Sequence, residues 1–118
     1  MTTNFTIDYL KDKEALPMPV VSDPTELTDL IDPEEVVIPA KAFSILVNYP
    51  LRNSAIFQFD PTPHAVTRRQ LYSLIQYCYA LIYSEPIKYG AWGHVMGDLY
   101  IEGCTWENDG TLTLTMGS

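Results

Sequence analysis

The residue types best suited to catalysis lie together in residues 89–98, which hold three glycines, a tryptophan, a histidine and an aspartate. Because glycine permits tight and unusual backbone conformations, a loop of this composition can bring His94 and Asp98 together. A histidine oriented by a carboxylate is a common general base. No serine or cysteine is placed as its nucleophile, so the sequence assigns no catalytic residue. His94 and Asp98 are candidates, and the alternative is a structural loop.

A second candidate for chemistry is the pair Arg68 and Arg69, which opens the main predicted helix. The helix dipole disfavours positive charge at this end, so the two side chains need anionic partners. The interpretation that we favour is a salt bridge to the acidic N-terminal arm of the chain. The alternative is an anion-binding site, in which the guanidinium groups and the first helical amides grip a phosphate or a carboxylate.

The sequence contains no pattern typical of a metal site, a nucleotide-binding site or a nucleic-acid-binding surface. The two histidines and two cysteines lack the short spacing of a zinc site, and the aspartates do not form a calcium-binding loop. No phosphate-binding or dinucleotide-binding glycine motif is present. The net charge of −8 argues against duplex nucleic acid, whose phosphates reward basic surfaces. We therefore expect no metal, no cofactor and no direct contact with duplex nucleic acid.

The elements that position these residues follow from hydrophobic periodicity. Residues 42–49 and 54–59 alternate in polarity and predict one hairpin, and residues 98–104 and 111–116 predict another. Between them, residues 67–84 predict a helix that begins with a capping box. This order predicts an α+β fold, in which an antiparallel sheet of about four strands (hairpin–helix–hairpin) carries one main helix on one face.

The N-terminal segment differs from the rest in charge and in proline content. Residues 1–35 carry a net charge of −7, against −1 for the remainder, and five prolines in the first 40 residues prevent long regular elements. Within a single predicted domain, 1–118, we therefore expect an irregular, acidic arm over 1–40 and a compact body over 41–118. The arm is predicted to contain a short helix at 24–31. It is either a solvated segment or a strap that docks on a basic protein partner.

The main predicted helix is unusual because residues 70–84 carry no charge. Tyr72, Tyr79 and Tyr83 are spaced to form a second stripe beside the aliphatic one. Tyrosine is enriched at protein interfaces, where lysine and glutamate are depleted. Either the rest of the chain covers these tyrosines, or they form an interface together with Gln76. The expected core stripe is Leu71, Leu74, Ile75, Cys78, Leu81 and Ile82.

Several strings in the C-terminal half resemble a family of small uncharacterised proteins from large DNA viruses of protists, especially marseilleviruses. They are residues 67–72 (TRRQLY), 89–94 (YGAWGH), 98–103 (DLYIEG) and the closing pair 117–118. The resemblance covers about residues 67–118 and not the acidic arm. It implies a virus-encoded protein in the cytoplasm or nucleus of the infected cell, or in the virus particle, and it supplies no catalytic residue.

Composition sets the remaining expectations. The N-terminus lacks the basic and apolar regions of a signal peptide, and no apolar run approaches the ~20 residues of a membrane span, so we expect an intracellular protein without membrane contact. The predicted function is that of a non-enzymatic assembly protein, which forms a homodimer or a higher homo-oligomer. The alternative is a small enzyme or an anion-binding or ligand-binding domain that uses residues 92–98.

Overall fold

The computed structural model describes residues 3–5, 8–11, 14–20, 30, 32–93 and 95–117. These residues form a mixed α+β structure with one long helix. The strands are β1 (Thr3–Phe5), β2 (Asp8–Lys11), β3 (Glu14–Pro19), β4 (Val36–Ile38), β5 (Phe43–Val47), β6 (Ala55–Phe59), β7 (Val66–Thr67), β8 (Tyr100–Trp106) and β9 (Thr111–Gly117). The helices are α1 (Arg68–Ser84), α2 (Pro86–Tyr89) and a 3₁₀ turn at Met96–Asp98.

The predicted hairpins are both present and lie side by side. β5 pairs antiparallel with β6, β8 pairs antiparallel with β9, and β9 runs parallel beside β5. This gives the order β8-β9-β5-β6, and β3 and then β2 continue the sheet beyond β8. β1 also pairs with β8, while β4 and β7 form a separate two-stranded sheet. The predicted α+β fold class is confirmed. The sheet is mixed and not wholly antiparallel, because the two hairpins meet through the parallel pair β5 and β9, and three additional strands extend it.

Alternation along the strands places the core on one face of this sheet. Phe43, Ile45 and Val47 of β5 are buried, as are Leu112 and Leu114 of β9, and all five pack in one cluster with α1. Alternate side chains of a strand point to opposite faces, so the intervening residues face away from α1. One layer of helix on one face of the sheet is therefore the observed arrangement.

β8 begins later than its sequence pattern predicts. Asp98, expected at the start of this strand, lies instead in the 3₁₀ turn, and the strand begins at Tyr100. The pairing register of β8 with β9 shifts between Ile101 and Gly103, as in a β-bulge, and a glycine within a strand commonly marks such a bulge.

The start of α1 is as its local sequence predicts. The Thr67 hydroxyl accepts a hydrogen bond from the Gln70 amide at 3.2 Å, and the Gln70 side chain accepts one from the Thr67 amide at 2.9 Å. This reciprocal pair satisfies two backbone donors that a helix start would otherwise leave unbonded. The helix ends at Ser84, two residues before Pro86, because a residue that precedes proline avoids the helical conformation.

The buried side of α1 is rotated relative to the predicted stripe. Tyr72 and Tyr79 are fully buried, whereas Leu74 and Leu81, expected in the core, are partly exposed. A tyrosine removes more apolar area from water than a leucine, so this rotation increases the area that the helix buries.

The N-terminal segment is more regular than its prolines suggest. Its described parts form β1, β2 and β3, and β3 includes Pro17 and Pro19. Proline lacks the amide donor but keeps an extended backbone and a carbonyl acceptor, so it can lie in a short strand. The short helix expected at 24–31 falls outside the described residues except for Leu30, which is buried. The division into an arm and a body stays a prediction.

Candidate interaction surface

The two tyrosines expected at the centre of an interface are core residues of this chain. Tyr72 and Tyr79 are both 0% exposed. The Tyr79 hydroxyl donates a hydrogen bond of 2.6 Å to the Tyr49 carbonyl, which satisfies its polar end inside the protein. Burial raises the pKa of Tyr79 well above its ordinary value. This corrects the interface hypothesis for Tyr72 and Tyr79, because neither side chain is available to a second subunit.

The two remaining predicted interface residues are covered in part by the N-terminal segment and nearby loops. Gln76 is half-buried, and its side-chain amide donates to the Val20 carbonyl at 2.8 Å. Tyr83 is also half-buried, and its pKa is raised by burial first and then by the nearby Tyr49 and Asp98. The alternative in which the chain itself covers the tyrosine stripe therefore agrees with the structure.

The opposite side of α1 is exposed and carries no charge. Tyr77 is 54% exposed, and Leu74 and Leu81, one turn away on either side, are partly exposed. A helix side that faces water normally carries charged residues. Here the uncharged character extends past the core stripe to the outer side, formed by Gln70, Ser73, Leu74, Tyr77, Ala80, Leu81 and Ser84.

This exposed side of α1 borders β6, the last strand of the sheet. The ring of Tyr77 meets the ring of Phe59 edge-on, with centroids 6.4 Å apart. Farther along the strand, the ring of Phe57 lies 5.9 Å from that of Tyr89 in α2. The exposed helix side and the strand thus form one continuous surface.

The outer edge of β6 pairs with no strand in the part of the chain that the structure describes. On β5, the Ser44 amide donates to the Gly110 carbonyl at 2.9 Å, on the side away from β6. Because backbone groups alternate along a strand, the β5 residues on either side of Ser44 bond β6, opposite Phe57 and Phe59. The backbone groups of Ile56 and Gln58 therefore point outward.

This free edge lacks the features that usually protect one. Residues 55–59 include no lysine, no other charge, no proline and no bulge, and the Ile56 side chain is 61% exposed. Edge strands in natural proteins are commonly blunted by such features, because an open edge is a template for pairing with another chain. We call the outer edge of β6, together with Leu74, Tyr77 and Leu81, the helix–edge surface. Sequence periodicity missed it because periodicity does not give strand order.

The two arginines at the start of α1 bind acidic residues of the N-terminal segment. The Arg68 guanidinium, which is almost fully buried, donates to the Asp32 carbonyl at 3.0 Å and to the Glu35 carboxylate at 3.3 Å. The Arg69 side chain donates to the Glu34 carboxylate at 2.9 Å. The salt-bridge interpretation is confirmed.

The same contacts engage the helix-start amides that the anion-binding alternative for Arg68 and Arg69 would use. The Arg68 amide donates to the Glu35 carbonyl and the Arg69 amide to the Pro33 carbonyl, each at 2.9 Å. The third helical amide, of Gln70, donates to its capping threonine. The amides that would hold an anion at the helix start are therefore already bonded within the chain.

The predicted catalytic pair is not tested by the geometry. His94 lies outside the described residues, and Asp98 is exposed in the 3₁₀ turn. The neighbouring Trp92 and Val95 are also exposed, at 56% and 65%. Among the described residues, no group of three or more histidine, cysteine, aspartate or glutamate side chains is placed to hold a metal ion.

Both cysteines are buried thiols, and burial raises the pKa of Cys78 to about 12. The thiolate is the reactive form of cysteine, so Cys78 is expected to be inert in the folded protein. We predict that a thiol reagent at pH 8 labels the native protein slowly, and that the labelling rate rises with urea in parallel with unfolding. Fast labelling without denaturant, measured by mass spectrometry, would contradict this burial.

Two open depressions are found on the surface that the described residues form. One, of about 370 Å³, is lined by Phe43, Gln58, Phe59, Asp60 and Asp109. Its two carboxylates are engaged locally: Asp60 accepts hydrogen bonds from the Thr62 hydroxyl and amide, which lower its pKa, and Asp109 accepts one from the Thr111 amide. The other, of about 400 Å³, lies beside the first turns of α1.

Comparisons with protein-family models, with curated protein sequences and with solved structures return no match. No helix among the described residues has the length and apolar character that crossing a membrane requires.

Proposed function

We propose that this protein is a non-enzymatic assembly protein that binds a second copy of itself through the helix–edge surface. The observation that carries the proposal is the open, uncharged edge of β6 beside an uncharged helix side. Uncharged surface matters here because each chain carries a net charge of −8, so two copies repel each other except where they meet through neutral groups.

The β6 edge is complementary to itself. A twofold axis that is perpendicular to the sheet and passes midway between Phe57 of the two copies places Ile56 of one copy opposite Gln58 of the other. The backbone groups of both residues point outward, so both pairs exchange their backbone hydrogen bonds as in an ordinary antiparallel ladder. Because the interface is the same patch on both copies, the contact closes as a dimer and does not continue into a fibre.

The same axis keeps both helices on one face of the extended sheet. The side of α1 that borders β6 then turns toward its counterpart in the second copy. Leu74, Tyr77 and Leu81 supply the apolar contact, and no lysine or glutamate lies on that helix side among residues 70–84. Strand pairing supplies direction and register, while the helix contact supplies apolar burial.

The test is the molar mass in solution of the wild-type chain and of the Gln58→Pro variant, measured by light scattering coupled to size exclusion across a range of concentrations. Proline removes an outward amide without disturbing the bonds to β5, and it is tolerated on edge strands. Two equivalent hydrogen bonds are lost per dimer, so we expect dissociation to become at least about 30-fold easier, at roughly 1 kcal/mol per bond. The matched control, Gln58→Thr, keeps the amide and should dimerise like wild type.

A wild-type chain that is monomeric throughout that range would overturn the proposal. A dissociation constant that is unchanged in Gln58→Pro would also overturn it, provided that circular dichroism shows the variant folded. A helix-only interface would instead respond to Tyr77→Ser and not to Gln58→Pro, and this result would count against the sheet edge.

The resemblance of residues 67–118 to proteins of large DNA viruses extends this proposal to a virus-encoded assembly protein. On that basis its expected location is the cytoplasm or nucleus of the infected cell, or the virus particle. A basic protein partner for the acidic N-terminal segment is a further part of the proposal. Within that segment, Glu34 and Glu35 already bind Arg69 and Arg68, so such a partner would have to use other acidic residues.

A further inference from the structure

The second depression in the surface, of about 400 Å³, lies within the size range of small-molecule sites. It is formed by the loop after β6, by β7 and by the first two turns of α1. Most of its wall is apolar, with a few polar side chains at the margin, which is the usual composition of a ligand pocket. Its main lining residues are Pro61, His64, Val66, Arg69, Ser73 and Leu74.

The lining of this pocket includes a cationic side chain, although the whole chain is acidic. The protein carries a net charge of −8, yet no aspartate or glutamate is among the described residues that line the pocket, and Arg69 is. The polar groups beside Arg69 are hydrogen-bonding side chains, of His64, Gln70 and Ser73. A ligand that matches these walls is apolar along its length and carries a negative charge at one end.

A carboxylate already occupies the cationic margin. The Arg69 side chain donates to the Glu34 carboxylate at 2.9 Å, but the Glu34 side chain is 74% exposed and that of Arg69 is 30% exposed. Exposed ion pairs of this kind contribute little to stability and exchange readily. The carboxylate of a ligand can therefore compete with Glu34 for Arg69, while the apolar part of the ligand enters the pocket.

We infer that this pocket binds a small aliphatic carboxylate, with its head group on Arg69 and its chain against Pro61, Val66 and Leu74. The inference does not use the helix-start amides, which are bonded within the chain. It also does not depend on the proposed dimer. Leu74 belongs to both surfaces. The pocket lies at the first turns of α1, whereas the proposed twofold axis passes beside Phe57, whose ring contacts Tyr89 beyond the end of that helix.

The test is a titration of the full isotope-labelled chain with octanoate, followed through its backbone amide resonances. Two control probes separate the contributions of head and chain: acetate carries the head group alone, and octylammonium carries the same chain with the opposite charge. We expect octanoate to shift the amides of residues 61–74 saturably. Acetate and octylammonium should bind at least tenfold more weakly.

Two substitutions with opposite expected effects sharpen the result. Arg69→Gln should weaken octanoate binding at least about tenfold, while Glu34→Gln, which removes the competing carboxylate, should tighten it about twofold to fivefold. Arg52→Gln, at an exposed arginine outside the pocket, should leave binding unchanged. The Gln58→Pro variant should bind octanoate like wild type, so failure of the dimer and failure of the pocket are distinguishable.

Equal binding of octanoate and octylammonium would overturn the inference, because the site would then recognise apolar chains without regard to charge. Shifts confined to residues outside 61–74 would overturn its location. Loss of affinity in Glu34→Gln would overturn the exchange of carboxylates on Arg69.

Discussion

Replacing Tyr72 by alanine should lower the free energy of unfolding by about 3–5 kcal/mol, the range of large aromatic-to-alanine changes in protein cores. Tyr72 is 0% exposed and lies in the same apolar cluster as Leu71 and Ile75. Its removal leaves a cavity that the rigid sheet beneath α1 cannot fill, so the loss exceeds the transfer free energy of the ring alone. Urea denaturation followed by tryptophan fluorescence measures the change.

The matched control is Tyr77→Ala, on the same helix but 54% exposed. In the Gln58→Pro background, at protein concentrations where that variant is monomeric and association adds nothing to apparent stability, this substitution should cost less than about 1 kcal/mol. In the wild-type background it should weaken dimerisation. A Tyr72→Ala variant of unchanged stability that fails to dimerise would instead restore the original interface hypothesis.

The contrast between Tyr72 and Tyr77 shows where sequence reasoning about α1 ends. Periodicity gives the angle of each side chain around the helix, and local chemistry gives the capping box at Thr67, so both are predictable. Judged by these angles alone, the aliphatic stripe and the adjacent tyrosine stripe are about equally suited to face the core. Which side chains are buried depends on the groups that pack against the helix. These include the Tyr49 carbonyl, which is 30 residues from Tyr79, and the Val20 carbonyl, which is 56 residues from Gln76.

The sheet shows the same division between local and distant information. The hairpins β5–β6 and β8–β9 follow from alternation and turn residues, and the bulge at Gly103 follows from the glycine itself. That β9 lies beside β5 and leaves β6 at the edge depends on how the two hairpins pack, which no local pattern encodes. The candidate surface was missed for this reason, although residues 54–59 already show the lack of charge that defines it.

The arginine pair could be predicted only as two alternatives. Both the salt bridges and the anion site follow from adjacent arginines at a helix start. The contacts that decide between them come from Asp32 and Glu35, which lie 36 and 33 residues before Arg68. These contacts accompany the burial of Arg68, which is only 5% exposed.

Replacing Arg68 by alanine should therefore destabilise the protein by about 2–3 kcal/mol, the range expected for hydrogen bonds to a charged group. The change removes a donor to the Asp32 carbonyl and to the Glu35 carboxylate, together with the packing of the aliphatic stem. This loss is smaller than the roughly 3–5 kcal/mol that removal of one partner of a fully buried ion pair costs. The Glu35 side chain is 53% exposed, so water can hydrate its carboxylate when Arg68 is absent. Arg68→Met restores the stem without the charge and should recover part of the loss.

The matched control is Arg69→Ala, which removes the neighbouring arginine and its ion pair with Glu34. Glu34 is largely exposed and Arg69 is partly exposed, so the loss of this pair should cost less than about 1 kcal/mol and should shrink further in high salt. Urea denaturation of Arg68→Ala, Arg68→Met and Arg69→Ala at low and high salt separates the contribution of burial to stability from that of charge. Equal losses for Arg68→Ala and Arg69→Ala would mean that burial does not distinguish the two arginines. A larger loss that vanishes in salt would mean that Arg68 acts through surface charge and not through its bonds to Asp32 and Glu35.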